Sequence, residues 1–121
     1  MSVAYLNGEF QNLEQATVPV LDRGFLFGDG VYEVIPVYAG KPFRFSSHIK
    51  RLHKSLSAIL MSFELPESEW LRICEELIAQ NELDNASIYL QVTRGSYIDR
   101  HHDIPALDTP TVFAMISPLP P

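Results

Sequence analysis

Two short hairpins are predicted near the start of the chain from the alternation of hydrophobic and polar residues. Strand-like runs flank Asn7-Gly8, and both residues tolerate the positive φ of a tight turn. The β-branched and aromatic run 31–38 predicts a longer strand, which turns at Ala39-Gly40 into a second strand over residues 41–45. Pro36 lies within the longer run. Because proline cannot donate a ladder hydrogen bond, its position predicts a sheet edge or a bulge.

Two amphipathic helices follow. Ser46 or Ser47 is a candidate cap for the first helix, whose apolar residues recur at helical spacing: Ile49, Leu52, Leu56, Ile59 and Leu60. In the second helix, Pro66 occupies the first turn and Asn81 lies near the end. Its apolar stripe comprises Trp70, Ile73, Cys74, Leu77 and Ile78.

The last third of the chain predicts two more strands. Residues 87–93 alternate with period two, and 112–116 form a short apolar run. The order of elements predicts an α+β domain, an antiparallel sheet with two helices packed on one face. We expect this domain to cover residues 1–117, with 118–121 as the start of an interdomain linker because the tail is rich in proline.

Composition and charge narrow the class of protein. The chain has 121 residues and a net charge of −6, which would repel a phosphate backbone or an anionic membrane, so we expect neither a nucleic acid nor a membrane as partner. Cys74 is the only cysteine, which excludes an internal disulfide. With no secretory signal in the sequence, this favours a cytoplasmic protein.

A dense polar cluster follows the fifth predicted strand. It consists of Arg94, Arg100, His101, His102 and Asp103, within a long polar stretch where binding groups tend to be displayed. An arginine fork with a nearby histidine suits a carboxylate, so an anion site is one interpretation and a solvated loop is the other. We expect no metal site, because adjacent histidines diverge on an extended backbone.

Other candidates have competing interpretations. The segment 22–30 contains three glycines but matches no phosphate-binding fingerprint, so alone it predicts only a tight turn. Arg51 projects about 200° from Ile49 on a helical wheel and is expected at the surface. Tyr32 is either a strand aromatic packed on its neighbours or a phenol facing a cleft. Cys74 belongs to an apolar stripe and is given no chemical role.

Three motifs in combination resemble the fold-type IV (class IV) pyridoxal-phosphate enzymes. These motifs are Asp22-Arg23-Gly24-Phe25-Leu26-Phe27-Gly28-Asp29-Gly30-Val31-Tyr32-Glu33, His48-Ile49-Lys50-Arg51-Leu52 and Gln91-Val92-Thr93-Arg94-Gly95. The resemblance covers essentially the whole chain as the small N-terminal domain of that family. The family includes D-amino-acid aminotransferases, branched-chain aminotransferases and aminodeoxychorismate lyases, and the resemblance is strongest to the first group.

The resemblance implies roles for four residues and a cofactor. Arg51 would bind the phosphate of pyridoxal 5'-phosphate. Tyr32, Arg100 and His102 would bind the substrate α-carboxylate, with the last two reaching into the neighbouring subunit of a homodimer. The implied reaction transfers an amino group from a D-amino acid, of the D-alanine type, to a 2-oxo acid. The alternatives are a branched-chain aminotransferase, an aminodeoxychorismate lyase, or a non-catalytic carboxylate-binding module if the natural chain is this short.

The same resemblance places the catalytic lysine outside this chain. In the family, the lysine that forms the Schiff base comes shortly after the point where this sequence ends, and the large C-terminal catalytic domain follows. Lys41, Lys50 and Lys54 are predicted to be solvated, where nothing would depress their pKa for imine formation. We therefore expect no catalytic residue within this chain, and we expect the chain alone to be inactive.

Overall fold

Alternating side chains divide one antiparallel sheet into a buried face and an outer face. The structure is a computed structural model that describes residues 2–96 and 109–120. Its strands lie in the order β2-β1-β6-β5-β3-β4. They are β1 (Val3–Leu6), β2 (Glu9–Asn12), β3 (Gly30–Tyr38), β4 (Lys41–Pro42), β5 (Ala86–Thr93) and β6 (Thr111–Pro118). The helices are α1 (Arg23–Phe27), α2 (Phe45–Ala58) and α3 (Glu67–Asn81), and a one-turn 3-10 helix covers Leu13–Gln15. The α+β class and the antiparallel sheet are confirmed.

Both predicted hairpins are present, although the second is shorter than expected. Asn7 and Gly8 have φ of 48° and 96°, and Ala39 and Gly40 have φ of 51° and 76°, as tight turns with two left-handed residues require. The strand predicted over 41–45 stops at Pro42, because α2 begins three residues later. The prediction of the turns was right, and that of the second strand was too long.

Pro36 occupies the place in the sheet that its missing N–H requires. Its carbonyl accepts a hydrogen bond from Phe43 N at 2.8 Å, so its backbone polar groups face away from β5. Since the N–H and C=O of one strand residue point the same way, the proline ring removes no hydrogen bond from the ladder between β3 and β5. The predicted edge or bulge is not found, because β3 lies between β5 and the edge strand β4 and its register with β5 is regular through Pro36.

The core lies between the sheet and helices α2 and α3. The buried helix residues are Ile49, Leu52 and Leu56 from α2, and Trp70, Ile73, Cys74 and Leu77 from α3. They pack against inward-facing strand residues, which include Ile35, Val37, Ile88, Leu90, Val92, Ala114 and Ile116. The helical stripes predicted from the sequence therefore face the core, with Leu60, just beyond the end of α2, as the exception.

The two ends of α2 differ from their prediction. Neither Ser46 nor Ser47 caps the helix. It begins at Phe45 after Arg44, which adopts a left-handed conformation and provides no side-chain cap. The Ser46 hydroxyl instead donates to a Glu67 carboxylate oxygen at 2.7 Å, which links the first turns of α2 and α3. At the other end Leu60 lies beyond the helix and is 73% exposed, because its backbone has turned left-handed.

Helix α3 ends as predicted and begins one residue after Pro66, and its last residue attaches it to the sheet. Pro66 directly precedes the helix, and Asn81 is its final residue. The Asn81 side chain accepts from Val3 N at 2.9 Å and donates to Val3 O at 3.1 Å. These two bonds substitute for a strand partner at the beginning of β1 and fix α3 across it. In the part of the chain that the structure describes, no helix has the length and apolar character needed to cross a membrane.

The end of the chain departs slightly from the expected boundary. Pro118 is the last residue of β6, where the proline-rich tail had been expected to start a linker. Strand β6 pairs Pro118 with Ala86, and Leu119 N then donates to Asn85 O at 3.2 Å. A terminal position in the strand tolerates proline. The division into a small domain and a linker stays a prediction.

Candidate functional site

The glycine-rich segment forms a short helix instead of a simple turn. Asp22 caps α1 by accepting a hydrogen bond from Gly24 N at 2.8 Å, as Asp at an N-cap does. Gly28 ends the helix with φ of 64°, a conformation that favours glycine. The chain then enters β3 at Gly30. Helix α1 thus leads directly to the strand that carries Tyr32 and Glu33.

Asp22 also attaches α1 to the ends of two strands. Its carboxylate is 1% exposed and accepts from Thr93 Oγ1 at 2.8 Å and from Thr111 Oγ1 at 2.5 Å. Thr93 ends β5 and Thr111 begins β6, so one buried carboxylate joins three elements. This arrangement holds the segment before β3 in a fixed position.

Tyr32 lies on the outer face of the sheet, opposite the helices. It is 62% exposed, and its ring stacks on Tyr89 with centroids 5.6 Å apart and an angle of 19° between the planes. Its register partner on β5 is Gln91, which points to the same face. The interpretation of Tyr32 as a strand aromatic packed on a neighbour is confirmed, and a phenol that faces a cleft stays a prediction.

A cavity of about 330 Å³ lies on this outer face, between the sheet and the segment that leads into α1. Outer-face strand residues form its floor, and the chain around α1 forms its wall. Its lining includes Leu6, Val18, Phe25, Gln91 and Phe113. Gln91 lines the cavity and is the register partner of Tyr32, whereas Tyr32 itself is not among the lining residues.

Arg51 is held by a buried carboxylate. Its Nε donates to Glu33 Oε2 and its Nη2 donates to Glu33 Oε1, both at 2.8 Å. His48 Nδ1 donates to Glu33 Oε1, also at 2.8 Å, which fixes the imidazole proton on Nδ1 because an ionised carboxylate only accepts. The Arg51 side chain is 65% exposed, whereas that of Glu33 is 4% exposed. The expected surface position of Arg51 is confirmed, with its guanidinium held in place.

The ionisation of Glu33 follows from these contacts. Burial alone would raise the pKa of the Glu33 carboxyl, but the hydrogen bonds and positive charge of Arg51, together with His48, outweigh burial and hold the pKa below its ordinary range. The same pairing raises the pKa of Arg51. The pair is therefore an ionised carboxylate and a guanidinium joined by two parallel hydrogen bonds.

Arg94 does not belong to an exposed anion site, contrary to one interpretation of the polar cluster. Its side chain is 2% exposed, and its Nε donates to Asp29 Oδ2 at 2.8 Å. Arg23 Nε donates to the same oxygen at 2.8 Å. Burial would raise the pKa of Asp29, but the hydrogen bonds from Arg94 and Arg23 and their charges lower it overall. Arg94 is thus used inside the fold, joining the end of β5 to the segment between α1 and β3.

The rest of that cluster lies outside the described residues. Arg100, His101, His102 and Asp103 fall between the two described ranges, 2–96 and 109–120. Their proposed contact with a substrate carboxylate, and that of Arg100 and His102 with a neighbouring subunit, stays a prediction. Of the four residues to which the resemblance assigns roles, the structure describes Tyr32 and Arg51.

The three lysines are exposed, as predicted. Lys41 follows the second tight turn, and Lys50 and Lys54 lie on the solvent side of α2. None is enclosed by apolar side chains. The described fold therefore offers none of them an environment that favours imine formation.

Cys74 is buried in α3, and burial raises the pKa of its thiol to about 12. Since the thiolate is the reactive form, we expect no measurable reaction of the native chain with a disulfide reagent such as Ellman's reagent at pH 8. One equivalent should react after unfolding in urea. Rapid labelling of the folded chain would show that the thiol is accessible.

The sequence interpretation missed Glu33, Asp22 and Asp29 as organising groups. Glu33 occupies an inward position of β3, between Val31 and Ile35 in the alternation, where a charged residue is rarely placed without a partner. That conflict with the pattern was visible in the sequence. Asp22 and Asp29 each have one nearby partner, Gly24 and Arg23. Their other partners, which include Thr93 and Arg94, lie more than sixty residues away, so no local pattern indicates those.

Comparisons with known proteins agree with this geometry. A family model described as amino-transferase class IV matches residues 30–121. The chain is 42% identical over 100 residues to the D-alanine aminotransferase of Listeria monocytogenes, covering 83% of this chain and 35% of that protein. It is 38% identical over 116 residues to the D-alanine aminotransferase of Staphylococcus haemolyticus, covering 96% of this chain and 40% of that protein.

A solved structure supports the same assignment. The Escherichia coli branched-chain amino acid aminotransferase superposes with a TM-score of 0.88 at 25% identity, over 98% of this chain and 40% of that one. The chain therefore spans less than half the length of the proteins it matches. The match of the family model over most of the sequence, and the identity to curated relatives, show that this chain belongs to the class IV aminotransferase family.

Proposed function

We propose that this chain is the N-terminal part of a pyridoxal-phosphate-dependent aminotransferase that transfers an amino group from a D-amino acid, of the D-alanine type, to a 2-oxo acid. The observation that carries the proposal is the Arg51 guanidinium, which Glu33 holds along one edge. Among residues 2–96 and 109–120, nothing bonds to its Nη1. The identity to D-alanine aminotransferases supports the choice of a D-amino acid.

The residues present fit a phosphorylated cofactor. An exposed guanidinium with an unused donor edge suits a phosphate oxygen, and Arg51 offers such an edge. When bound, pyridoxal phosphate serves as an electron sink for the charge left on the substrate Cα. In this proposal Arg51 holds the phosphate, while the lysine required for the chemistry comes from a part of the protein beyond this sequence. This chain would then bind and orient without supplying the catalytic base.

Substrate orientation is assigned to Tyr32, Arg100 and His102. We propose that these three donors converge on the substrate α-carboxylate, with Arg100 and His102 supplied by the second subunit of a homodimer. Tyr32 supports this role because it is exposed on the outer face, and its register partner Gln91 lines the cavity there. Fixing the carboxylate decides which Cα hydrogen meets the base, so the three residues would govern stereospecificity as well as affinity.

Cys74 is a buried free thiol, which suits the reducing cytoplasm in which we place the enzyme.

A branched-chain aminotransferase is the second candidate, because the fold superposes so closely on that of the Escherichia coli enzyme. The experiment that separates the two uses the enzyme encoded by the full-length gene. We expect transamination of D-alanine with 2-oxoglutarate, and little turnover of L-leucine or L-valine. Preferred turnover of the L-amino acids would overturn the proposal in favour of the second candidate.

Arg51→Ala in the full-length enzyme should weaken binding of pyridoxal phosphate by about tenfold or more, since hydrogen bonds to charged groups are among the strong ones. Relative kcat/KM values among D-amino acids should change little, because Arg51 contacts the cofactor and not the substrate in this proposal. Equilibrium dialysis of the apoenzyme measures the first quantity, and steady-state kinetics at saturating cofactor measures the second. An unchanged dissociation constant would make Arg51 a surface residue only.

Arg100→Ala should raise KM for D-alanine and for 2-oxoglutarate together, because both carry the same α-carboxylate and pass through one site. Arg100→Lys should restore part of the loss, since an ammonium keeps the charge and lacks the planar fork. Truncating Arg100 and His102 together should cost less than the sum of the single losses if they share one anion.

The control substrate for Arg100→Ala is D-alaninol, which has no carboxylate. Its turnover should barely respond to Arg100→Ala. Unchanged KM values for both acids, with a lower dimer fraction in sedimentation, would assign Arg100 to the subunit interface and remove it from the substrate site.

A further inference from the structure

We propose that Glu33 is a positioning residue, which fixes the Arg51 guanidinium in the orientation that binds the cofactor phosphate. This inference rests on the proposed function, and in particular on the role of Arg51. Glu33 itself is not placed in contact with cofactor or substrate. It acts through Arg51, from the buried face of β3.

The hydrogen bonds define the orientation of the guanidinium. Glu33 accepts from Nε and Nη2, the two donors along one edge of the Arg51 fork, and both bonds measure 2.8 Å. A planar guanidinium bound bidentately has its plane and its rotation fixed by the carboxylate. The opposite edge, which carries Nη1, is then directed away from Glu33. Without Glu33, nothing among the bonds of the described residues would hold that edge in one place.

Burial makes Glu33 a rigid support. It lies in the middle of β3, which pairs with β5 from Gly30 to Val37. His48 on α2 donates to the Oε1 atom that Arg51 Nη2 also uses, so the carboxylate is held from a second position. Arg51 is mostly exposed, and a long exposed side chain otherwise has many rotamers to lose on binding. Glu33 removes this cost before the phosphate arrives, which is preorganisation.

If Glu33 acted only as a counter-ion to Arg51, its effect on phosphate binding would have the opposite sign. The ionised Glu33 neutralises Arg51 and thereby weakens its long-range attraction for a phosphate. If attraction dominated, removing the negative charge would strengthen cofactor binding. If orientation dominates, removing it weakens binding although the site becomes more positive. The sign of the change therefore distinguishes a positioning residue from a mere counter-ion.

The test compares two cofactor forms on the full-length apoenzyme. Dissociation constants are measured for pyridoxal phosphate and for pyridoxal, which lacks the phosphate. For Glu33→Gln we expect about tenfold weaker binding of pyridoxal phosphate with nearly unchanged binding of pyridoxal, since the neutral amide keeps only one acceptor oxygen. Tighter or unchanged binding of pyridoxal phosphate would overturn the proposal. Equal weakening of both forms would also overturn it, because the effect would then be on the fold.

Glu69→Gln is the matched control. Glu69 pairs with Arg72 on the exposed side of α3 at 3.1 Å, so the variant removes a carboxylate from another arginine pair. We expect both dissociation constants to remain as in the native enzyme. Glu33→Asp keeps the charge but is one methylene shorter, and we expect it to regain less than half of the loss in phosphate preference. Full recovery by Glu33→Asp would show that phosphate binding depends on the charge at position 33 and not on the length of the side chain. That result would overturn the proposal.

A double-mutant cycle separates this inference from the proposed function. If Arg51→Ala abolishes the preference for pyridoxal phosphate, then Glu33→Gln should have no further effect in that background. A further tenfold loss there would show that Glu33 acts by another route. If Arg51→Ala leaves the preference intact, the role of Arg51 itself fails. If Arg51→Ala lowers it and Glu33→Gln does not, only the positioning role of Glu33 fails.

Discussion

Gly95→Ala should destabilise the folded chain by at least about 3 kcal/mol, since left-handed strain and overpacking each cost on the order of 1–3 kcal/mol. Gly95 follows β5 with φ of 91°, and a Cβ built there would lie 2.0 Å from Thr109 O and 3.0 Å from Thr109 C. These are backbone atoms, which cannot rotate away. Gly95 O also accepts from Arg23 N at 2.8 Å, so a shift would disturb α1. Urea denaturation followed by circular dichroism measures the loss.

Gly8→Ala is the control for Gly95→Ala. Gly8 has φ of 96°, and a Cβ built there meets nothing within 4 Å. Both substitutions therefore carry the cost of a left-handed conformation, and only one adds a clash. We expect Gly8→Ala to cost on the order of 1 kcal/mol. Equal losses for the two variants would show that the backbone around Thr109 yields to the new methyl group.

Asp29→Ala should cost about 3–5 kcal/mol of stability, the usual result of removing one partner from a buried ion pair. Asp29 Oδ2 accepts from both Arg23 and Arg94, whose side chains are 7% and 2% exposed. Without the carboxylate, the Arg94 guanidinium keeps its bond to Ile59 O and loses its counter-ion. Denaturation in urea at pH 7 measures the difference.

The control for Asp29→Ala is Glu69→Ala, which removes one partner of an exposed pair whose side chains are 55% and 45% exposed. Such pairs contribute about 0–1 kcal/mol. Comparable losses at both sites would show that burial of the Arg94 pair contributes little.

Acid dependence gives a second measurement for Asp29. The pKa of Asp29 is lower in the folded chain than its ordinary value of 3.8. Folding therefore favours the ionised carboxylate of Asp29. The contribution of this carboxylate to the stability of the folded chain is fully present above the ordinary pKa. It is lost as pH falls through the lower pKa of the folded state. Below pH 4 the native chain should lose stability more steeply than Asp29→Ala, and parallel curves would contradict this account.

Elements specified by neighbouring residues could be predicted from the sequence. The turn at Asn7-Gly8 depends on two residues that tolerate positive φ, and the stripes of α2 and α3 depend on spacing within each helix. The start of α2 was predicted wrongly, because the Ser46 hydroxyl bonds to Glu67 on another helix and does not cap its own. A local rule cannot choose between two such partners.

In the candidate site, too, local spacing predicts some features, whereas contacts with distant residues determine the others. Helical spacing placed Arg51 at the surface, but its fixed orientation depends on Glu33, eighteen residues earlier on a different element. Arg94 was assigned to an exposed cluster because its sequence neighbours are polar, whereas its partner Asp29 is sixty-five residues away. Such pairs form only when the sheet brings distant strands together. The phosphate role of Arg51 came from resemblance to a family, and physical patterning did not indicate it.

The two-sided character of β3 has a consequence for redesign of the protein. Tyr32 and Val34 are 62% and 44% exposed on the outer face, while Glu33 between them points inward to α2. Because successive strand residues face opposite sides, side-chain replacements at 32 and 34 alter the outer surface and leave the Glu33–Arg51 pair untouched. A combinatorial library confined to those two positions therefore varies the outer surface of the domain and leaves the Glu33–Arg51 pair unchanged.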